Sequence, residues 1–199
     1  PADLFTACLT DPICTALRCF ILENPHVLPA SALPLLEQLQ GKLTDRGAPL
    51  GQLNWVFTAV TDTIAWHVLP RDVFLRLFRQ DQLVATLYRH FLLACRIMPK
   101  YGCNPCSVPA MPEGVAIHPL WSAWDVALER MASLLPLTLK LSAAEMEQAG
   151  ISHDSVAAVA SQQQKILQQR AADLAEQRAA KAAFVPQQSF QQGRGAWTP

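Results

Sequence analysis

Apolar residues between Pro49 and Met98 recur at steps of three and four along the chain. Leu50, Leu53, Phe57, Val60, Ile64 and Val68 fall on one stripe of a helix whose other side carries Asn54, Thr58, Thr61 and Asp62. No glycine follows Gly51 in this stretch, and its only internal proline, Pro70, closes the periodic run. The period returns in Phe74, Leu77 and Phe78, and again in Leu83, Val84, Leu87, Phe91, Leu92 and Cys95. The pattern predicts three successive helices, over about residues 50–69, 71–79 and 81–98. Trp55 and Trp66 return to nearly the same angular position with Thr63 between them, and are read as core aromatics packed between helices, with an exposed partner-binding pair as the alternative.

Residues 1–22 read as helix broken near Thr10-Asp11-Pro12, where a proline suited to a first helical turn opens a second helix burying Ile13, Leu17, Phe20 and Ile21. Ser31 is placed to cap a short helix ending near Gly41, and a polar connector leads to Pro49. The proline-rich run from Pro99 to Pro119 is irregular, after which a helix resumes and buries Leu120, Trp124, Leu128, Met131 and Leu135. Beyond Pro136 the composition shifts. Ser142-Ala-Ala-Glu145 fits a capping box, and residues from about Ser155 to Phe184 form an Ala/Gln-rich helix with a thin apolar stripe. The expected fold is all-α, a helical bundle or armadillo-like solenoid segment over residues 1–136. A helical extension over 137–186 and a disordered tail over 187–199 follow.

Sixteen basic residues balance sixteen acidic ones, which argues against a nucleic-acid partner or an anionic membrane surface. Asp62, Arg71, Arg76 and Arg89 interrupt the most apolar region, so no membrane insertion is expected. The N-terminus lacks the pattern of a secretory signal, and the expected location is cytoplasmic. Cys8, Cys14, Cys19 and Cys95 sit in apolar helical patterns, where free cysteine behaves as a small hydrophobe. Cys103-Asn-Pro-Cys106 has the spacing of zinc knuckles and thioredoxin-like sites, yet no second pair follows it. A zinc- or cysteine-dependent enzyme built on Cys103, Cys106 and His118 is therefore the weaker alternative, alongside a generic helical interaction module. Asp62 and His67 lie five apart, on different sides of one helix, so Asp62 is read as an inter-helix hydrogen-bonding residue. No catalytic residue, cofactor or metal is assigned.

The string Pro49-Leu50-Gly51, Leu53-Asn54-Trp55, Phe57-Thr58-Ala59, Thr61 to Trp66 and Leu69-Pro70 resembles the central signature of the Raptor family, the scaffold subunits of TOR kinase complex one. The likeness continues through Leu77 to Asp81, Leu83-Val84-Ala85, Phe91 to Ala94 and Arg96-Ile97-Met98. It extends upstream to Phe5–Thr10, Pro12-Ile13 and Ala16-Leu17-Arg18, and downstream to Trp121 with Ala123-Trp124-Asp125. Gln52 stands where the family usually has glutamate, His67 and His90 where asparagine is usual, and Cys95 where a charged residue is common. The resemblance implies a non-enzymatic scaffold that recruits substrates bearing a short signalling motif to the TOR kinase. Nutrient-sensing GTPases would be further partners, with recruitment to the lysosomal or vacuolar surface. Trp121, Trp124 and Asp125, where the likeness ends, are expected to be uncovered and to bind a neighbouring domain or partner.

Overall fold

The computed structural model describes residues 3–39 and 41–183. Eight α-helices and three short 3₁₀ segments account for the regular structure among these residues, and no strand occurs in them. The expected disordered tail lies outside the described residues.

Local chemistry sets most of the helix boundaries. In α1 (Leu4–Thr10) the Asp3 carboxylate accepts from the Thr6 N–H at 2.7 Å. Pro12 opens α2 (Pro12–Glu23), and Pro49 opens α3 (Pro49–Val68), which stops before Pro70. After α4 (Arg71–Arg79), the Asp81 carboxylate accepts from the Leu83 and Val84 N–H groups and starts α5 (Gln82–Ile97). A second long helix, α6 (Trp121–Thr138), is followed by α7 (Ala143–Gln148), where Ser142 and Glu145 form the expected capping box. The last, α8, runs from His153 to Ala183.

Two compact units divide the chain. The first ends at Val159 and contains one core, in which α3 lies along α6, α1 against α5, and α2 against both α6 and α5. Ile13, Leu17 and Ile21 from α2 meet Leu53, Phe57 and Ile64 from α3, Leu92 and Leu93 from α5, and Trp121, Trp124, Leu128 and Leu135 from α6. This unit extends past the boundary expected at Pro136. Ala149 and Ile151 are buried in its core, and the Ser31 hydroxyl donates to the Ala149 carbonyl at 2.6 Å. Ser31 consequently serves as a long-range tie and makes no side-chain cap, and its segment, Ala30–Gln38, is 3₁₀ in form. The second unit is described as the part of α8 from Ala160 onward, on which Ile166, Leu167 and Leu174 are exposed.

Three side-chain expectations need correcting. Thr61, placed on the polar side of α3, is fully buried because its hydroxyl donates to the Phe57 carbonyl of its own helix at 2.7 Å, leaving only its methyl for the core to accommodate. Trp55 and Trp66 are not core residues; they are 55% and 49% exposed. Arg46 lies over the Trp55 ring at 4.2 Å, and Trp66 meets Phe74 edge-on with centroids 5.0 Å apart. Phe20 is half-buried at the margin of the core, as is Leu120.

Candidate interaction surface

Helices α4 and α5 carry more apolar surface than the core covers. On α5 the buried side consists of Ala85 together with Leu92, Leu93, Ala94 and Ile97, in the C-terminal half. The apolar stripe that starts at Leu83 continues it outward: Leu83 is 68% exposed, and Val84 and Leu87 are also open to solvent. Helical periodicity places these residues on one side but cannot say how far along the helix the covering elements reach.

A groove of about 420 Å³ forms where this uncovered stripe faces α4 and the loop before α6. Val73 and Leu77 supply the α4 wall, Val84, Leu87 and Phe91 the α5 wall, and the segment Ser107–Pro112 the third. Its walls are held by specific contacts. Phe74 and Phe78 stack within α4 at 4.6 Å, and Phe78 meets Tyr88 of α5 edge-on at 5.5 Å. The Tyr88 hydroxyl donates to the Met111 sulfur at 3.4 Å, tying the loop to α5, and burial pushes the Tyr88 phenol up from its ordinary value. Asp62 accepts two hydrogen bonds from Arg89, from Nε at 2.6 Å and from the guanidinium NH₂ at 3.2 Å, and so locks α3 to α5 as an inter-helix pair.

Trp121 and Trp124 do not form an uncovered edge. Each is only 1% exposed, because α6 turns both indoles into the core. The Trp121 Nε1–H donates to the Val115 carbonyl at 2.8 Å, and the Trp124 ring packs against Phe57 with centroids 5.4 Å apart. Asp125 stays partly exposed, and accepts from Arg96 at 2.8 Å while the same guanidinium donates to the Ala116 carbonyl. A helical stripe of Trp121, Trp124, Leu128 and Leu135 was itself the signal for burial.

The six cysteines are free. Burial pushes the Cys8 thiol up to about 12 and raises Cys14 and Cys95 to about 11, and it raises Cys19 as well. Cys103 and Cys106 are exposed. His118 is committed elsewhere: its Nδ1 accepts from the Leu120 N–H at 3.2 Å, and its Nε2 lies 3.2 Å from His67 Nδ1. Both ring nitrogens of His118 are thus engaged within the fold. Among the described residues no group of three His, Cys, Asp or Glu side chains is arranged to hold a metal. No helix there is long and apolar enough to cross a membrane.

The first unit is thus an all-α segment with a side-chain-tied core and an uncovered apolar groove. Comparison with known proteins shows what it is similar to. No protein-family model matches the chain. It is 48% identical over 154 residues to the target of rapamycin complex 1 subunit mip1 of Schizosaccharomyces pombe, covering 77% of this chain and 11% of that protein. Identity to the protein raptor homolog of Dictyostelium discoideum is 52% over 139 residues, covering 70% of this chain and 9% of that protein. For the regulatory-associated protein of TOR 2 of Oryza sativa subsp. japonica the identity is 54%, covering 68% and 10%. The crystal structure of Chaetomium thermophilum Raptor superimposes with a TM-score of 0.62 at 54% identity, covering 69% of this chain and 12% of that one. Over about two-thirds of its length, then, the chain is a Raptor-type helical segment. It spans about a tenth of the length of these relatives.

Proposed function

We propose that the chain acts without catalysis, as a scaffold segment in a TOR complex 1 assembly. The observation that carries this reading is its 48% identity, over 154 residues, to a protein named as a subunit of that complex. The surface chemistry agrees. A groove walled by Val73, Leu77, Val84, Leu87 and Phe91 has the apolar character of a docking surface. Its role would be to hold partners close together, which raises their effective concentration.

The partners in this proposal are the TOR kinase, substrates bearing a short signalling motif and nutrient-sensing GTPases, met in the cytoplasm or at a lysosomal or vacuolar surface. The groove is the contact we assign to assembly. Replacing Val84 and Leu87, which both line the groove, together by aspartate changes apolar surface that is already partly exposed, so the fold should persist. Co-purification of the TOR kinase with this double variant should fall at least about tenfold relative to the unsubstituted chain, as for loss of about 1.4 kcal/mol or more at a hot spot. Undiminished co-purification by a folded double variant would remove the groove from the proposal.

A further inference from the structure

The two histidines that face each other between α3 and the loop before α6 form a contact that only one protonation state satisfies. His118 Nδ1 accepts from the Leu120 N–H, so Nε2 carries the proton and donates to His67 Nδ1 at 3.2 Å. The rings lie tilted, with centroids 5.3 Å apart. An added proton has two places to go. On His67 it must take Nδ1, which then points a donor at the Nε2–H of His118. On His118 it must take Nδ1, which then points a donor at the Leu120 N–H. Either way one bond of the relay is lost, and two protonated rings at this distance also repel.

We propose that the His67–His118 pair is a proton-sensitive latch, closed at neutral pH and open in mild acid, that holds the loop leading into α6 against the C-terminal end of α3. The loop is pinned beyond the latch by bonds that involve no titrating group in this range. Arg96 donates to the Ala116 carbonyl and Trp121 to the Val115 carbonyl, while Tyr88 reaches Met111. Opening the latch therefore frees the stretch around His118 without unfolding the unit. That stretch leads directly from Ser107–Pro112, the third wall of the groove.

The charged groups on the surrounding elements are accounted for. Asp62 of α3 is paired with Arg89 of α5, and Arg96 of α5 with Asp125 of α6. Arg71 and Asp72 begin α4, and Glu113 lies in the loop. Among the described residues, no ion pair joins any of these to His67 or His118, so no fixed countercharge stabilises the doubly protonated pair.

Residue 67 is where the Raptor resemblance leads one to expect asparagine. An asparagine Oδ1 would accept from His118 Nε2 whether or not His118 is protonated, so in His67→Asn the bond between α3 and the loop persists in acid and only the His118–Leu120 bond is lost. The test is hydrogen exchange on the full chain at pH 7.5 and 5.0, with protection factors corrected for intrinsic rates. In the unsubstituted chain the Ile117 and Trp121 amides, which bond backbone carbonyls on either side of the His118 ring, should lose protection at least about fivefold in acid while amides of α2 and α3 keep theirs. In His67→Asn the same amides should change less than about twofold. Equal losses in the two proteins, or no loss in the unsubstituted chain, would overturn the latch. The latch rests on the fold alone and not on the docking reading, so its failure would leave the assignment of the groove untouched.

Discussion

Replacing Phe57 by alanine tests the orientation of α3, on which the rest of the packing depends. The Phe57 side chain is 1% exposed and stands between Trp124, at 5.4 Å, and the His90 ring, at 6.1 Å. Its removal forfeits about 2–3 kcal/mol of transfer free energy. The contact with Trp124 adds about 0.5–1.5 kcal/mol. The remaining cavity, lined by neighbours on α5 and α6, brings the total to about 3–5 kcal/mol. Trp55, two residues earlier and more than half exposed, is the internal control. Its replacement by alanine loses little burial and one exposed stacking contact with Arg46, for a cost below about 1 kcal/mol. Urea titration measures both, with an unchanged slope certifying that the midpoint shift reports stability. By thermal melting the Phe57 change should lower Tm by about 6–20 °C. A Phe57→Ala cost below about 1 kcal/mol, or a Trp55→Ala cost equal to it, would refute the assigned orientation.

Gly51→Ala should destabilise the protein even though alanine is the better helix former by about 1 kcal/mol, because a Cβ there would sit 1.8 Å from the Asp45 carbonyl oxygen; a rise in the urea midpoint would contradict the packing of the 42–48 loop on α3. Thiol labelling of the native chain at pH 8 should modify Cys103 and Cys106 first. Cys14 and Cys95, with thiols raised to about 11, hold about 10⁻³ of their population as thiolate at that pH, and rapid labelling of all six would contradict their burial. Burial lowers the His90 pKa against an opposing hydrogen bond from its Nδ1 to the Leu9 carbonyl at 2.7 Å. Its folded state favours the neutral ring, so this contribution to stability is complete above the unfolded value of about 6.5 and is lost as pH falls from there through the folded value. His90→Asn should therefore flatten the decline in urea midpoint between pH 7 and 5, and an unchanged slope would show that His90 does not contribute to it.

Periodicity located the helices well because each apolar stripe was long. The expected helices over 50–69, 71–79 and 81–98 correspond to Pro49–Val68, Arg71–Arg79 and Gln82–Ile97, and Asp81 and Pro70 mark the junctions chemically. Depth was harder to read. Trp55 and Trp66 are as apolar as Trp121 and Trp124, but burial depends on which neighbouring helix arrives, and that is set by contacts distant in sequence. Thr61 shows the converse: a polar residue becomes invisible to the core once its hydroxyl bonds its own helix. Ser31 had a local reading as a cap and found a partner 118 residues away. The groove was half legible, since Val84, Leu87 and Phe91 belong to the periodic stripe. Its third wall comes from a proline-rich loop with no periodicity to read.

If this segment works as the corresponding part of a TOR complex 1 subunit, residues 3–159, which carry the whole core including Ala149 and Ile151, should replace the matched segment of the fission yeast relative. Co-purification of the TOR kinase with that chimera should stay within about twofold of the parent, a difference of under about 0.5 kcal/mol in assembly. A stably folded chimera that fails to retain the kinase would refute the scaffold reading.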